Sequence, residues 1–258
     1  MRKHPASVGW TENLYNFPTY QNRQLNFEIL FFRQLDQQTS NVFDKLRTEA
    51  EPALTPEETH TLTVFLMTLL HRTPAGVSSM RDLSKRMYNE IRERLRPRYL
   101  EIRGPNDPPT VEEYEEQRGA EAYLEHFSNV FRTVVSSQRV GNFLASMSWR
   151  RISVPNSCHN LLLSDDPLIR TNGLARADGH LLFPIAPKVA IIGATSEDHL
   201  NIILDLAPKV LVRQMNQQAV GAARHFIVDS NEDQIIFIRN RFGTNIRPTL
   251  SEQSLTRK

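Results

Sequence analysis

The feature that most constrains the fold is a change of hydrophobic periodicity near Gly141. Before it, apolar residues recur every three or four positions, as they do along the buried face of an α-helix. After it, short aliphatic and β-branched runs replace the long stripes, and such runs are typical of strands. The sequence therefore predicts an α+β protein: a helical N-terminal half of about four helices, packed on a smaller mixed C-terminal half with short strands and one late helix.

The helical half, at about residues 22–140, contains one especially clear helix start. At 55–58 the sequence Thr-Pro-Glu-Glu combines a capping hydroxyl on Thr55, a proline at the first helical position and a glutamate that can return a hydrogen bond. An apolar face follows until Pro74, which cannot continue a helix. Phe31 is the first of four apolar residues that share one helical face, and they predict a preceding helix of about 25 residues.

The next two predicted helices differ in charge. One has an apolar stripe from Met80 to Leu95, and the other begins at Thr110. Residues 81–103 hold eight Lys or Arg against four Asp or Glu, and residues 107–125 hold seven acidic residues against one Arg. We expect them to pair with each other. A basic helix can also contact the phosphates of a nucleic acid, but an acidic neighbour competes, so nucleic-acid binding is only weakly supported.

The mixed half, at about residues 141–246, is predicted to contain short strands, a loop and one helix. The predicted strands are Ile152–Val154, Leu161–Leu163, Val189–Ile192 and Ile235–Ile238; the loop covers 170–180 and the helix about 209–225. A polar tail at 247–258 is expected to fray. We expect the whole chain, 1–258, to be a single domain.

Composition excludes several classes of protein. The formal net charge of +2 is too small to attract nucleic acid by itself. No apolar run approaches the roughly 18 to 20 residues of a membrane span, so we expect no membrane partner. The single Cys158 excludes a disulfide framework and fits a reducing compartment. These features predict a soluble, cytoplasmic protein.

Two acidic residues form the first candidate site. Asp165 and Asp166 directly follow an apolar run and precede Pro167, so we expect them at the end of a strand. Their carboxylates could bind Mg²⁺ or Mn²⁺, or orient an arginine or histidine. The alternative is structural: an aspartate that closes a turn or holds a buried arginine.

A second candidate lies where an apolar helix ends, at His71 and Arg72. Positive side chains at this end are favoured by the helix dipole, which explains them without a function. The familiar catalytic motifs, including phosphate-binding loops and nucleophile elbows, are absent from the sequence. Cys158 and His159 are adjacent, but neighbours on a strand point to opposite faces, so we do not interpret them as a catalytic pair.

Three stretches resemble the bacterial family known as domain of unknown function 4238. The first is the apolar helix at 65–74, which ends in Arg-Thr-Pro. The second runs from Trp149 through Leu-Ser-Asp-Asp-Pro at 163–167 to Phe-Pro-Ile-Ala-Pro at 183–187, and the third joins Asn216 to Ala-Ala-Arg-His at 222–225. Together the stretches cover about residues 10–240, in the family's order.

The chain also departs from the family pattern. Family members usually open with a His-x-x-Pro-x-x-Tyr-Leu-x-x-Phe segment, which His4-Pro5 does not match. We therefore expect this chain to begin inside the domain, as a protein truncated at its N-terminus does. Asp166 stands where the family more often has asparagine, which adds a negative charge and favours a metal.

The resemblance implies that residues distant in sequence meet at one site. It implies catalytic roles for Arg72, Asp165 and Asn216 and binding roles for His71, Asp166 and Arg224. The metal held by Asp165 and Asp166 is the hypothesis that their position after a strand suggests. Two functions are compatible with this set. One is a binding or regulatory module, in a bacterial defence or stress system, where the residues form a structural network. The other is a nuclease-like, metal-assisted hydrolase of phosphodiesters, using the strand-end aspartate and the helix-end arginine.

Overall fold

A computed structural model describes residues 16–18, 24–26, 32–50, 52–170 and 173–256. The chain is α+β, as the change of periodicity predicts. Its helices in this part are α1 Arg33–Thr48, α2 Pro56–Arg72, α3 Pro74–Leu95, α4 Tyr99–Ile102, α5 Val111–Val135, α6 Gln138–Ala145, α7 Glu197–Leu204, α8 Pro208–Ala222, α9 Ile235–Arg241 and α10 Leu250–Thr256. Its strands are β1 Asn16–Pro18, β2 Gln24–Asn26, β3 Ser148–Ser153, β4 Leu163–Ser164, β5 Ile169–Arg170, β6 His180–Ala186, β7 Val189–Ala194 and β8 Ile227–Val228.

These residues divide into two compact units. The first, called the sheet unit here, contains residues 35–73 and 138–247. The second, the helical unit, contains residues 74–137, the described residues from 248 onward and those within 12–34.

The sheet unit is built around an antiparallel sheet with strand order β3-β7-β6-β5. Successive side chains of a strand point to opposite faces, and β6 shows this directly. Leu182 belongs to a core with Leu211 and Met215 of α8, whereas Leu181 packs in a different cluster with Met67 of α2. Helices therefore cover both faces of the sheet, which explains why β7 is buried along its whole length.

The helical unit packs α3 against α5 around buried aromatic rings. Phe131 is fully buried, and its ring centroid lies 6.3 Å from that of Phe32 and 6.0 Å from that of Phe127. On the surface, Arg92 and Arg96 of the basic segment form ion pairs with Glu115 of α5. The predicted pairing of the basic and acidic helices is confirmed.

The helix starts that depend on capping are confirmed. The Thr55 side chain accepts a hydrogen bond from the Glu58 backbone, the Glu58 carboxylate accepts one from the Thr55 backbone, and Pro56 is the first helical residue. At the start of α5, the Thr110 side chain accepts a hydrogen bond from the Glu113 backbone. Both starts follow from local chemistry, because the capping groups satisfy N–H groups that have no partner within the helix.

The predicted strand at Ile235–Ile238 is wrong, because these residues begin helix α9. The Ile238 N–H donates to the Gln234 carbonyl over 2.8 Å, which is helical bonding. Ile236 is 72% exposed, so the run is not a buried strand. A short β-branched run does not decide between strand and helix by itself.

The predicted length of the first helix and the predicted fraying of the tail also differ from the structure. Helix α1 covers 16 residues rather than about 25, and Phe31 lies outside the described residues. The tail does not fray over 250–256, where α10 forms and packs on α3. The Ser79 and Thr249 hydroxyl oxygens lie 2.7 Å apart, and both side chains are buried. This contact and the packing of α10 explain why a polar sequence is ordered there.

Candidate functional site

His71 and Arg72 form the last turn of α2, where the sequence places them. The Arg72 guanidinium donates to an Asp36 carboxylate oxygen on α1 over 2.7 Å, and its central carbon lies 4.8 Å from the centre of the Phe65 ring. Arg72 therefore ties α1 to α2, and Asp36 is a partner that the sequence did not reveal.

His71 is buried beside a positive charge. Its side chain is only 8% exposed. Burial, with a smaller effect from the charge of Arg170, lowers the pKa of His71 to about 4. The imidazole is consequently neutral at pH 7.

Asp165 directly follows strand β4, as predicted, and its carboxylate faces main-chain donors. One oxygen accepts from the Arg224 backbone N–H over 2.9 Å, and the other accepts from the His225 backbone N–H over 3.0 Å. Both donors lie just beyond the end of α8. Asp165 therefore fixes the chain where it leaves that helix.

Asp166 lies among three arginines, Arg170, Arg224 and Arg247, which we call the arginine cluster. Arg170 forms an ion pair with Asp166 over 3.4 Å. Burial raises the pKa of Asp166, while the positive charges of the arginine cluster oppose that rise. The Arg224 guanidinium also donates to the Arg247 backbone carbonyl over 2.8 Å. This bond holds the backbone at Arg247 close to Arg224.

Asn216 lies in a buried amide network and is 2% exposed. Its amide oxygen accepts from the Leu162 backbone N–H over 2.9 Å. Its amide nitrogen donates to the Asn160 carbonyl over 2.7 Å and to the Gln234 side-chain oxygen over 2.8 Å. Gln234 donates to the same Asn160 carbonyl over 2.9 Å, a role that no sequence signal indicated.

The predicted site residues therefore belong to three arrangements in the sheet unit. Asp165, Asp166 and Arg224 lie together, and His71 is coupled to them through the charge of Arg170. Asn216 holds the preceding part of the same segment, at 160–162, and Arg72 makes its ion pair with Asp36. Within the described residues, no three His, Cys, Asp or Glu side chains form a group that could hold a metal ion.

A cavity of about 470 Å³ lies beside the Asn216 network. We call it the basic cavity, because Lys209, Arg213 and Arg241 contribute to its lining. Its lining also includes Cys158 and His159, which are neighbours in the sequence. The three cations lie on two helices and share no sequence motif, so the sequence did not reveal the cavity.

Fold and site together define an α+β protein in which polar side chains hold two places: residues 160–162 and the chain just after α8. The chain matches the family described as protein of unknown function (DUF4238) over residues 1–233, and it belongs to that family. Comparison with curated proteins and with solved structures gave no match. Among the described residues, no helix is both long and apolar enough to cross a membrane.

Proposed function

We propose that this protein is a binding or regulatory module in which Asp165, Asn216 and Arg72 hold the sheet unit in shape. The observation that carries the proposal is the engagement of both Asp165 carboxylate oxygens by backbone N–H groups, at 2.9 and 3.0 Å. These two bonds give the carboxylate a structural role, because they hold the chain where it leaves α8. The buried amide of Asn216 supports the same interpretation, since its oxygen and its nitrogen both bond to the protein.

The setting of the module is part of the proposal. We propose a bacterial defence or stress system as this setting. The single cysteine, Cys158, is free and buried, which supports a reducing compartment such as the cytoplasm.

The test measures stability and hydrolysis in the same variants. Asp165→Ala removes two hydrogen bonds to a charged acceptor and is expected to lower the free energy of unfolding by about 2 kcal/mol. Asp205→Ala is the matched control, because Asp205 is exposed at the end of α7. Urea unfolding followed by circular dichroism measures both.

The same proteins are incubated with mixed RNA and DNA in Mg²⁺ or Mn²⁺. The proposal predicts no cleavage by the parent chain. The hydrolase alternative has one supporting observation, the two carboxylates that directly follow β4. Metal-dependent cleavage that is lost in Asp165→Ala, while that variant still folds and Asp205→Ala keeps the activity, would overturn the proposal in favour of the hydrolase.

A further inference from the structure

The basic cavity has more positive than negative side chains in its lining. Lys209 and Arg213 lie one turn apart on α8, and Arg241 reaches the cavity from α9. Among the residues that the structure describes, none of these three forms an ion pair. One acidic residue, Asp233, contributes to the lining. Three cations and one carboxylate around one space favour an anionic ligand.

The cavity also offers an apolar and planar surface. Phe237 lies one turn before Arg241 on α9, and the Arg241 guanidinium carbon is 4.5 Å from the centre of the Phe237 ring. Val212 of α8 also contributes to the lining. A guanidinium held over an aromatic ring is a flat surface on which a nucleobase can stack.

Size and chemistry together select a class of ligand. A volume of about 470 Å³ lies within the range of small-molecule sites. Arginine and lysine side chains bind phosphate groups, arginine through paired N–H donors. The apolar surface beside them matches a ring attached to the phosphate rather than a bare inorganic ion.

We propose that the basic cavity binds a mononucleotide, with its phosphate at Lys209 and Arg213 and its base stacked on the paired Arg241 and Phe237 side chains. This inference rests on the proposed function, because it names the ligand of the binding module. The Asn216 network forms part of the cavity wall, so the residues that shape the sheet unit also shape the site.

The test is isothermal titration calorimetry of the full chain with the 5′-monophosphates of adenosine, guanosine, cytidine and uridine. The parent nucleosides and inorganic phosphate are titrated in parallel. At least one monophosphate should bind at least about tenfold more tightly than its nucleoside and than phosphate, because it alone uses both surfaces. Its Kd should rise with added salt, since the phosphate contacts are ionic.

Arg213→Gln and Arg241→Gln should each raise that Kd by about tenfold, the first by losing a hydrogen bond to the charged phosphate and the second by losing the stacking surface. Arg239→Gln is the matched control: Arg239 is exposed on α9 and does not line the cavity, and its variant should bind as the parent does. Absence of binding by all four monophosphates, equal binding of nucleosides, or an unchanged Kd in both Arg213→Gln and Arg241→Gln would overturn the inference. These outcomes leave the proposed function standing, because that proposal is tested separately, by the stability of Asp165→Ala and by metal-dependent cleavage.

Discussion

The sheet unit and the helical unit use polar side chains in different ways. In the sheet unit, Asn216 is 2% exposed. Its side chain hydrogen-bonds to the backbone of Leu162 and Asn160, which lie 54 and 56 residues away in sequence. In the helical unit, Arg96 pairs with Glu112 at the surface, where the two side chains are 38% and 65% exposed. Buried polar groups without partners are costly, whereas water screens exposed ion pairs. We therefore expect loss of the buried Asn216 amide to destabilise the sheet unit more than loss of the exposed Arg96 pair destabilises the helical unit. The helical unit should depend most on its buried aromatic rings.

The largest expected effect tests the apolar half of this comparison. Phe131→Ala empties a fully buried position between α3 and α5, which should lower the free energy of unfolding by about 3 to 5 kcal/mol. Leu100→Ala serves as the control, because Leu100 is 74% exposed in the same unit. Urea unfolding measures both. Similar costs at the two positions would mean that the aromatic core does not dominate the stability of the helical unit.

A pH-dependent effect of similar size is expected in the sheet unit. The pKa of His71 is about 4 in the folded chain and 6.5 in its ordinary state, so the unfolded chain takes up a proton first as the pH falls. Stability from the neutral imidazole is complete above pH 6.5 and is lost as the pH falls through 4, a total of about 3 kcal/mol for 2.5 pKa units. The unfolding free energy of the parent chain should therefore fall between pH 7 and 4, and His71→Gln should remove this slope.

His60→Gln on the same helix provides the control for that experiment. His60 is exposed, so its replacement should leave the slope between pH 7 and 4 as it is in the parent chain. A parent chain whose stability does not change over this range would show that His71 is not held neutral by burial.

The amide network gives the next largest effect. Asn216→Ala leaves the Leu162 N–H and the Gln234 amide oxygen without their partner, which should lower the free energy of unfolding by about 2 kcal/mol. Asn201→Ala on α7 is the matched control, because Asn201 is exposed. If the two asparagine variants proved equally stable in urea, the network would not be what holds residues 160–162 to α8.

Local signals explain what the sequence could predict. The helix starts at Thr55 and Thr110 depend on residues three positions apart, and both were predicted. The same pairing occurs at Thr249 and Glu252, where the Thr249 backbone donates to the Glu252 carboxylate over 2.6 Å. It was missed because no apolar stripe follows it, and the helix is ordered by contacts with α3.

The site was predictable in position but not in partners. The sequence placed Asp165 after a strand, and β4 ends directly before it. Its donors are backbone N–H groups 59 and 60 residues away, and a main-chain donor has no residue-specific signal in sequence. Asp36 and Gln234 were missed for a related reason, since each becomes a partner only when distant segments meet.

The smallest expected effect is the most direct test of the difference between the units. Arg96→Gln removes the exposed pair with Glu112 and a contact of 3.5 Å with Glu115. Because exposed ion pairs contribute little, we expect the Tm to change by less than about 2 °C, and the change should shrink further in high salt. The control is Arg132→Gln on α5, an exposed arginine of the same unit. A larger loss for Arg96→Gln, persisting in high salt, would mean that the charged surface between α3 and α5 stabilises the helical unit as the buried amides stabilise the sheet unit.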